Sequence, residues 1–238
     1  MTKRYVGSSG HGLKIRGAKH LIDEVDEARK VTNEVHRILT IQYNGSGSVF
    51  HDDTSTTQNQ NLQTIVNYHN KQVRELDWSI HFNAASVTDA PRGVEVLYYD
   101  MKDLSAKVSA TISKASGLKD RGPKQRTELY FLKNTYKPAI LIEVCFVDSE
   151  ADVALYHKNF NAICAAIAEV LAAHLGYTIK KEEVKEAQAK VMLNDSKSIP
   201  AMIIDGRTHV QVREIAALLG LKLVYNDESK ITKLYEVK

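Results

Sequence analysis

Hydrophobic and polar positions change period several times along the chain. From Asp23 to about Leu39 the apolar residues Val25, Ala28, Val31, Val35 and Ile38 recur three or four positions apart, which is one face of an amphipathic helix. LQTIVNYHNKQV (62–73) predicts a second such helix, and a third falls near Leu104–Ser116. Ala151–Leu175 predicts one long helix closed by Gly176. Strand-like stretches lie between them: RYVGSS (4–9), DWSIHF (77–82), GVEVLYY (93–99) and PAILIEVCFV (138–147). The last is the most continuous apolar run, as expected of a central strand buried on both faces. DWSIHF and GVEVLYY are expected to be neighbours, joined by a loop containing Pro91. YNGSGSVFHDDTSTTQNQN (43–61) reads as a loop with a short strand at VFHDD, and ELYFLKNT (128–135) as a short strand or turn segment.

Strands and helices alternate through about residue 177. That order predicts an α/β fold with a mostly parallel twisted sheet covered by helices on both faces. The composition then shifts. IKKEEVKEAQAKV (179–191) is charged and helix-forming, so 178–190 reads as a linker or connecting helix, or as a solvated last helix of the first domain. Beyond it, VMLNDSKSIPAMIIDGRTHVQV alternates as strands do around an Asp205-Gly206 turn. REIAALLG predicts one short helix, and LKLVYND and KITKLYEV two more strands. The expected domains are 1–177 and a small β-rich α+β domain over 191–238. About fifty residues is small for an independent core.

Composition narrows the function classes. The chain has 238 residues, 43% hydrophobic and 26% charged, as in an ordinary soluble globular protein. No apolar run approaches the ~18 residues of a membrane span, so no membrane insertion is expected. The net charge of +3 divides into +2 over residues 178–238 and +1 over the rest. Neither part is a basic block, which argues against nucleic-acid binding. Cys145 and Cys164 have no metal-finger or disulfide spacing and read as buried thiols. MTKRYVGSSGHG lacks the apolar stretch of about 7–15 residues that a secretory signal needs.

Polar residues of metal-ligand type stand where apolar or turn residues would be expected. His11 in GHG follows the first strand, the carboxylates of DEVDE start the first helix, and His81 in SIHFNA ends a strand. Strand ends and helix starts are where open α/β sheets build their sites. Glu143 interrupts the most apolar strand, and a buried carboxylate is costly without a partner or a role. Two imidazoles and a carboxylate match a catalytic zinc site with an open fourth position. A second, non-ligating carboxylate can then move protons.

GHG followed by Gly17-Ala18, a glutamate soon after, SIHFNA, Arg121-Gly122 and PAILIEVCFVDSEAD together resemble the zinc-dependent N-acetylmuramoyl-L-alanine amidases. These are the type-3 amidases of bacterial wall hydrolases and phage endolysins, and the resemblance covers about residues 1–176. It implies that His11, a helix-start glutamate and His81 bind one Zn2+ and that Glu143 is the catalytic acid/base. Helical-face geometry favours Glu24 over Glu27, because Ala28, Val31 and Val35 follow Glu24 on one face, while Lys30 and Glu34 follow Glu27. Asp23 would then cap the helix and Asp26 face solvent. The implied reaction is hydrolysis of the amide between N-acetylmuramic acid and L-alanine, with peptidoglycan as partner. Without a signal sequence, the expectation is a phage or prophage endolysin, made in the host cytoplasm and reaching the wall after membrane permeabilisation. A host autolysin or sporulation hydrolase, or a zinc peptidase of stem peptides, is the alternative.

Ser8 and Ser9 stand where the family has an acidic residue and a glycine, and Ser9 is placed to support His11 by a hydrogen bond. Cys145 lies near a family glycine and is expected to serve packing. Asn83 binds substrate, orients a ligand or serves as a strand-end turn residue; His51 in FHDD is the outside candidate for a ligand. The tail, on DGRTHVQVREIAALLG, resembles the small module of the N-terminal stalk of copper amine oxidases, without implying copper. Its expected role is wall attachment or homodimer formation.

Overall fold

A computed structural model of the chain describes residues 3–179, 187–193, 197–204, 207–226 and 231–236. The chain divides into two compact units, Met1–Lys180 and Lys181–Lys238. The first contains strands β1 (Arg4–Gly12), β2 (Ser46–Asp52), β3 (Leu76–Asn83), β4 (Val94–Tyr98), β5 (Asp120–Gln125) and β6 (Ala139–Phe146). They form one sheet in the order β2-β1-β3-β6-β4-β5. β2, β1, β3 and β6 run parallel; β4 is antiparallel to β6 and parallel to β5. The sheet is mostly parallel, as the alternation of elements predicts.

Period-two alternation sorts side chains into two layers. Trp78, Ile80 and Phe82 of β3 and Ile140, Ile142 and Val144 of β6 enter the main core. There they meet helices α1 (Glu24–Ile41), α3 (Lys102–Ser116) and α5 (Glu150–Leu175), through residues such as Val31, Val35, Ile112 and Ile163. The opposite layer is thinner. Leu97, Ala139 and Leu141 pack against Ile65 and Val66 of α2 (Gln58–Lys71) and Phe131 and Leu132 of α4 (Tyr130–Asn134). Asp77 at the start of β3 is buried on this side, where His69 Nδ1 (2.8 Å) and the Arg74 guanidinium (2.8–3.1 Å) bond it. His81 and Glu143 follow at later odd positions of β3 and β6.

Several expectations are corrected. β3 and β4 are not neighbours, because β6 lies between them. β6, the strand with the least polar character, takes one of the four interior places, paired on both edges. All of SGSVFHD is strand, partly exposed as an edge strand can be. The charged, proline-containing DRGPKQ forms the opposite edge, a position that tolerates Pro123 and needs no apolar alternation. Residues 130–134 are one helical turn rather than a strand, since Phe131 and Leu132 both point into the thin layer. The long α5 departs from helical geometry at Asn159, whose Nδ2 donates to the Leu155 and Ser116 carbonyls.

Asp152, fully buried in the first turn of α5, ties the sheet edge to that helix. Its carboxylate accepts from the backbone N–H of Arg92 (3.0 Å), Gly93 (2.8 Å) and Phe146 (3.1 Å). Asp152→Ala removes three acceptor contacts at once. It is expected to cost about 2–5 kcal/mol in urea unfolding, because buried donors lose their partner.

In the second unit, β7 (Ala187–Leu193), β8 (Lys197–Ile204) and β9 (Arg207–Val210) form an antiparallel sheet. Helix α6 (Val212–Leu219) and the antiparallel pair β10 (Leu221–Asn226) and β11 (Ile231–Glu236) follow. Ala187–Lys190 is therefore strand, not connecting helix: cross-strand pairing with β8 overrides local helix propensity. The Asp205-Gly206 turn lies outside the described residues. Among the described residues no helix is long and apolar enough to cross a membrane.

Candidate metal centre

β1, β3 and β6 run parallel and end at one edge of the sheet, beside the start of α1. His11 stands near the end of β1 with φ 57°, a left-handed conformation that non-glycine residues rarely adopt. His81 and Glu143 are direct register partners on β3 and β6, so they point to the same face. Asp23 caps α1, its carboxylate accepting from Val25 N at 3.2 Å, and Glu24 follows in the first turn.

Glu24 joins the two imidazoles. Its Oε1 lies 3.1 Å from His81 Nδ1 and accepts from Phe82 N at 3.1 Å. Its Oε2 accepts from Ala18 N at 2.7 Å and lies 3.4 Å from His11 Nε2. The imidazole rings sit 5.3 Å apart at 72°. One ligand atom from each of His11, Glu24 and His81 lies within 4.8 Å of the others, a span that a single divalent ion can bridge. His11 Nδ1 and Glu143 Oε2 are buried with no hydrogen-bond partner. Orphaned polar atoms beside a nitrogen/oxygen donor set fit a metal and a polar reactant better than they fit a closed structural network.

The family model for N-acetylmuramoyl-L-alanine amidase matches residues 8–173. The chain belongs to this amidase family. An uncharacterised 38.4 kDa protein of Clostridium perfringens is 30% identical over 208 residues, covering 85% of this chain and 56% of that one. The endolysin of Bacillus phage SPP1 is 28% identical over 212 residues, covering 81% of this chain and 76% of the phage protein. The chain spans about half the length of the Clostridium perfringens relatives it matches. Among solved structures, the amidase AmiC2 of Nostoc punctiforme superposes with a TM-score of 0.65 at 26% identity, covering 74% of this chain and 98% of that one. The catalytic domain of the CD27L endolysin targeting Clostridia Difficile shares the fold, with a TM-score of 0.66 at 20% identity, covering 72% and 97%.

Two glycines of this amidase chain make room for the cluster. A Cβ at Gly10 would lie 2.0 Å from His81 Cε1. Gly17 has φ 68°, and a Cβ there would lie 2.4 Å from Glu24 Oε2 and 2.5 Å from His11 Cδ2. Gly17→Ala thus combines backbone strain with displacement of two cluster side chains. It is expected to weaken metal affinity about tenfold or more, readable by competition with a chromogenic chelator.

Charge states follow from the packing. Burial favours the neutral form of Glu24, but His81 and His11 outweigh it and hold its carboxyl below the usual range. Burial likewise opposes a charge on His81, yet Glu24 draws its imidazole above the ordinary value. His11 is held below, by burial first and then by repulsion from His81. A divalent ion held there would need both imidazoles in the neutral form. Glu143 is pushed up to about 7, first by burial and then by the negative charge of Glu24 and Glu95, while His81 and Arg126 oppose the rise.

The other candidates stand elsewhere. Glu27 accepts from Tyr156 OH and Lys30 Nζ, both at 2.7 Å, and does not reach the cluster. The polar residues Lys30 and Glu34 hid its contact with α5. Ser9 Oγ bonds His51 Nδ1 (2.8 Å) rather than His11, and His51 Nε2 bonds Asn33 (2.9 Å), so both ring nitrogens of His51 are occupied. Ser8 Oγ faces Ser79 Oγ. Cys145 is fully buried, and burial pushes its thiol far up. Asn83 Nδ2 donates to Glu95 Oε1 at 2.9 Å. Glu95, the cross-strand partner of Glu143, has no assigned place in the sequence reading. Its signal was present: a carboxylate inside the apolar run GVEVLYY, the same anomaly that singled out Glu143.

Proposed function

We propose that this chain hydrolyses the amide between the muramoyl lactyl group and L-alanine in peptidoglycan, with zinc held by His11, Glu24 and His81. The observation that carries the reading is the convergence of these three side chains beside Glu143, His81's register partner, in a chain of this family. When bound, zinc supplies Lewis acidity and brings the pKa of a water to about 7. Glu24 anchors both imidazoles and fixes their approach. Glu143 sits against the cluster with one oxygen unpartnered and a proton affinity near neutrality. A group so tuned accepts a proton from the attacking water and returns it to the leaving alanine amine. The similarity to the phage SPP1 endolysin favours lysis of a bacterial wall as the setting.

Digestion of purified sacculi tests the reaction. New N-terminal alanine supports it, whereas release of free D-alanine would make the chain a stem-peptide peptidase. The Lys181–Lys238 unit is proposed to attach the chain to the wall or to pair two chains. Light scattering of the whole 26.7 kDa chain at twice that mass supports pairing, and a monomer that sediments with purified walls supports attachment.

A further inference from the structure

We infer that Arg92 and Arg121, stacked on Phe146, form an anion subsite that reads a carboxylate on the second residue of the leaving peptide. The inference rests on the amidase reading above and names a specificity determinant for it. Phe146 is the register partner of Asn83 at the edge of the sheet, just beyond His81 and Glu143. Phe146 is only 4% exposed. Two guanidinium groups lie against it: Cζ of Arg121 is 5.0 Å from the centroid and Cζ of Arg92 is 5.4 Å from it. Each contact is favourable alone, but two cations on one ring also repel each other.

One neighbouring carboxylate, Glu95, pairs with Arg121, so one of the two guanidinium charges is unmatched among the described residues. Glu95 accepts from Asn83 Nδ2 and from Arg121 Nε at 2.7 Å, which leaves the two terminal nitrogens of Arg121 without a hydrogen bond among the described residues. Asp152 is occupied by the backbone N–H groups of Arg92, Gly93 and Phe146. Arg92 Nη2 donates to the Ser86 carbonyl (2.6 Å) and hydroxyl (2.9 Å), and its Nε is buried with no partner. Among the described residues no carboxylate pairs with Arg92, and the Arg121 side chain stays 34% exposed. A planar fork with free donors is suited to bidentate carboxylate recognition.

The position matches the substrate. Arg121 is bonded to Glu95, which faces Glu143 across β4 and β6. Antiparallel partners stand about 4.5–5.5 Å apart. The leaving alanine amine must reach Glu143, and the next Cα of the peptide lies about 3.8 Å beyond that of the alanine. A carboxylate on that second residue therefore comes within reach of the guanidinium pair. A carboxamide at the same place turns an NH2 donor toward other donors and loses the charge.

The test compares soluble muramoyl tripeptides whose second residue is D-glutamate or D-isoglutamine, its γ-carboxyl being in amide linkage to the third residue in both so that only the α-carboxylate differs, measuring kcat/KM by released amine and Kd by calorimetry. Wild type is expected to prefer the acid about tenfold or more in both. Arg92→Gln and Arg121→Gln are each expected to bring the acid-to-amide ratio toward one; Arg92→Gln leaves the Glu95 ion pair intact and so separates charge recognition from local structure. Equal constants for the two tripeptides in wild type, or a preference that survives both substitutions, would overturn the subsite. If neither tripeptide is cut but the acid still binds more tightly through the arginines, the subsite stands and the amidase reading falls.

Discussion

Glu143→Gln is expected to lower kcat on a soluble muropeptide by about 10²–10⁴-fold while metal content stays unchanged. The amide keeps the size of the carboxyl but cannot take up or return a proton at neutral pH. The reasoning is positional: Glu143 pairs with His81 yet lies outside the group of three whose ligand atoms converge. Loss of metal in the variant would contradict that separation of roles. The same substitution has a stability signature in chelator-treated protein. Burial first, then Glu24 and Glu95, raise the Glu143 pKa from 4.5 to about 7. A raised folded-state pKa means that the native state favours the proton, so the group's contribution is fully present below pH 4.5 and is lost as pH rises through about 7. Glutamine carries no such loss. The metal-free variant is therefore expected to be more stable than metal-free wild type at pH 8, by about 1–3 kcal/mol, and to lose that advantage below pH 4.5. Urea midpoints at the two pH values check the sign.

Much of this was legible because two kinds of signal agree. Helical period marks α1, α3 and α5, whose apolar faces form the main core. Polar residues misplaced against that period mark His11, His81 and Glu143. What stayed illegible depends on tertiary context. β2 and β5 are edge strands, so half of each need not be apolar; alternation announces only the VFHDD part of β2 and none of β5. The order β3-β6-β4 is a choice of pairing partners, which local pattern does not encode. Glu27 is buried against Tyr156, 129 positions away in sequence, a contact that Lys30 and Glu34 on its own helix do not announce. Arg92 looks like an ordinary surface charge, and the Arg121-Gly122 motif carries no assigned role, until Phe146 brings the two arginines onto one ring.

Chelation of the wild-type chain is expected to abolish wall hydrolysis, with activity restored by zinc; His81→Ala should behave as chelated wild type from the start. Glu24 is where the two effects meet. In the metal-free protein its two oxygens are held by His81, by the N–H groups of Ala18 and Phe82, and by proximity to His11. Removing the His81 imidazole leaves Glu24 almost fully buried with fewer donors and only one imidazole beside it. Metal affinity must then fall steeply, because two ligands cannot enclose the ion as three do. Thermal unfolding separates this from simple destabilisation. A metal present at about 100 times its Kd adds about 2.7 kcal/mol, which for a domain of this size is a Tm rise of roughly 5–10 °C. Wild type should lose that increment on chelation, while His81→Ala should unfold at one temperature with or without chelator. A chelator-sensitive Tm in His81→Ala, with near-stoichiometric metal by elemental analysis, would move the metal away from this cluster.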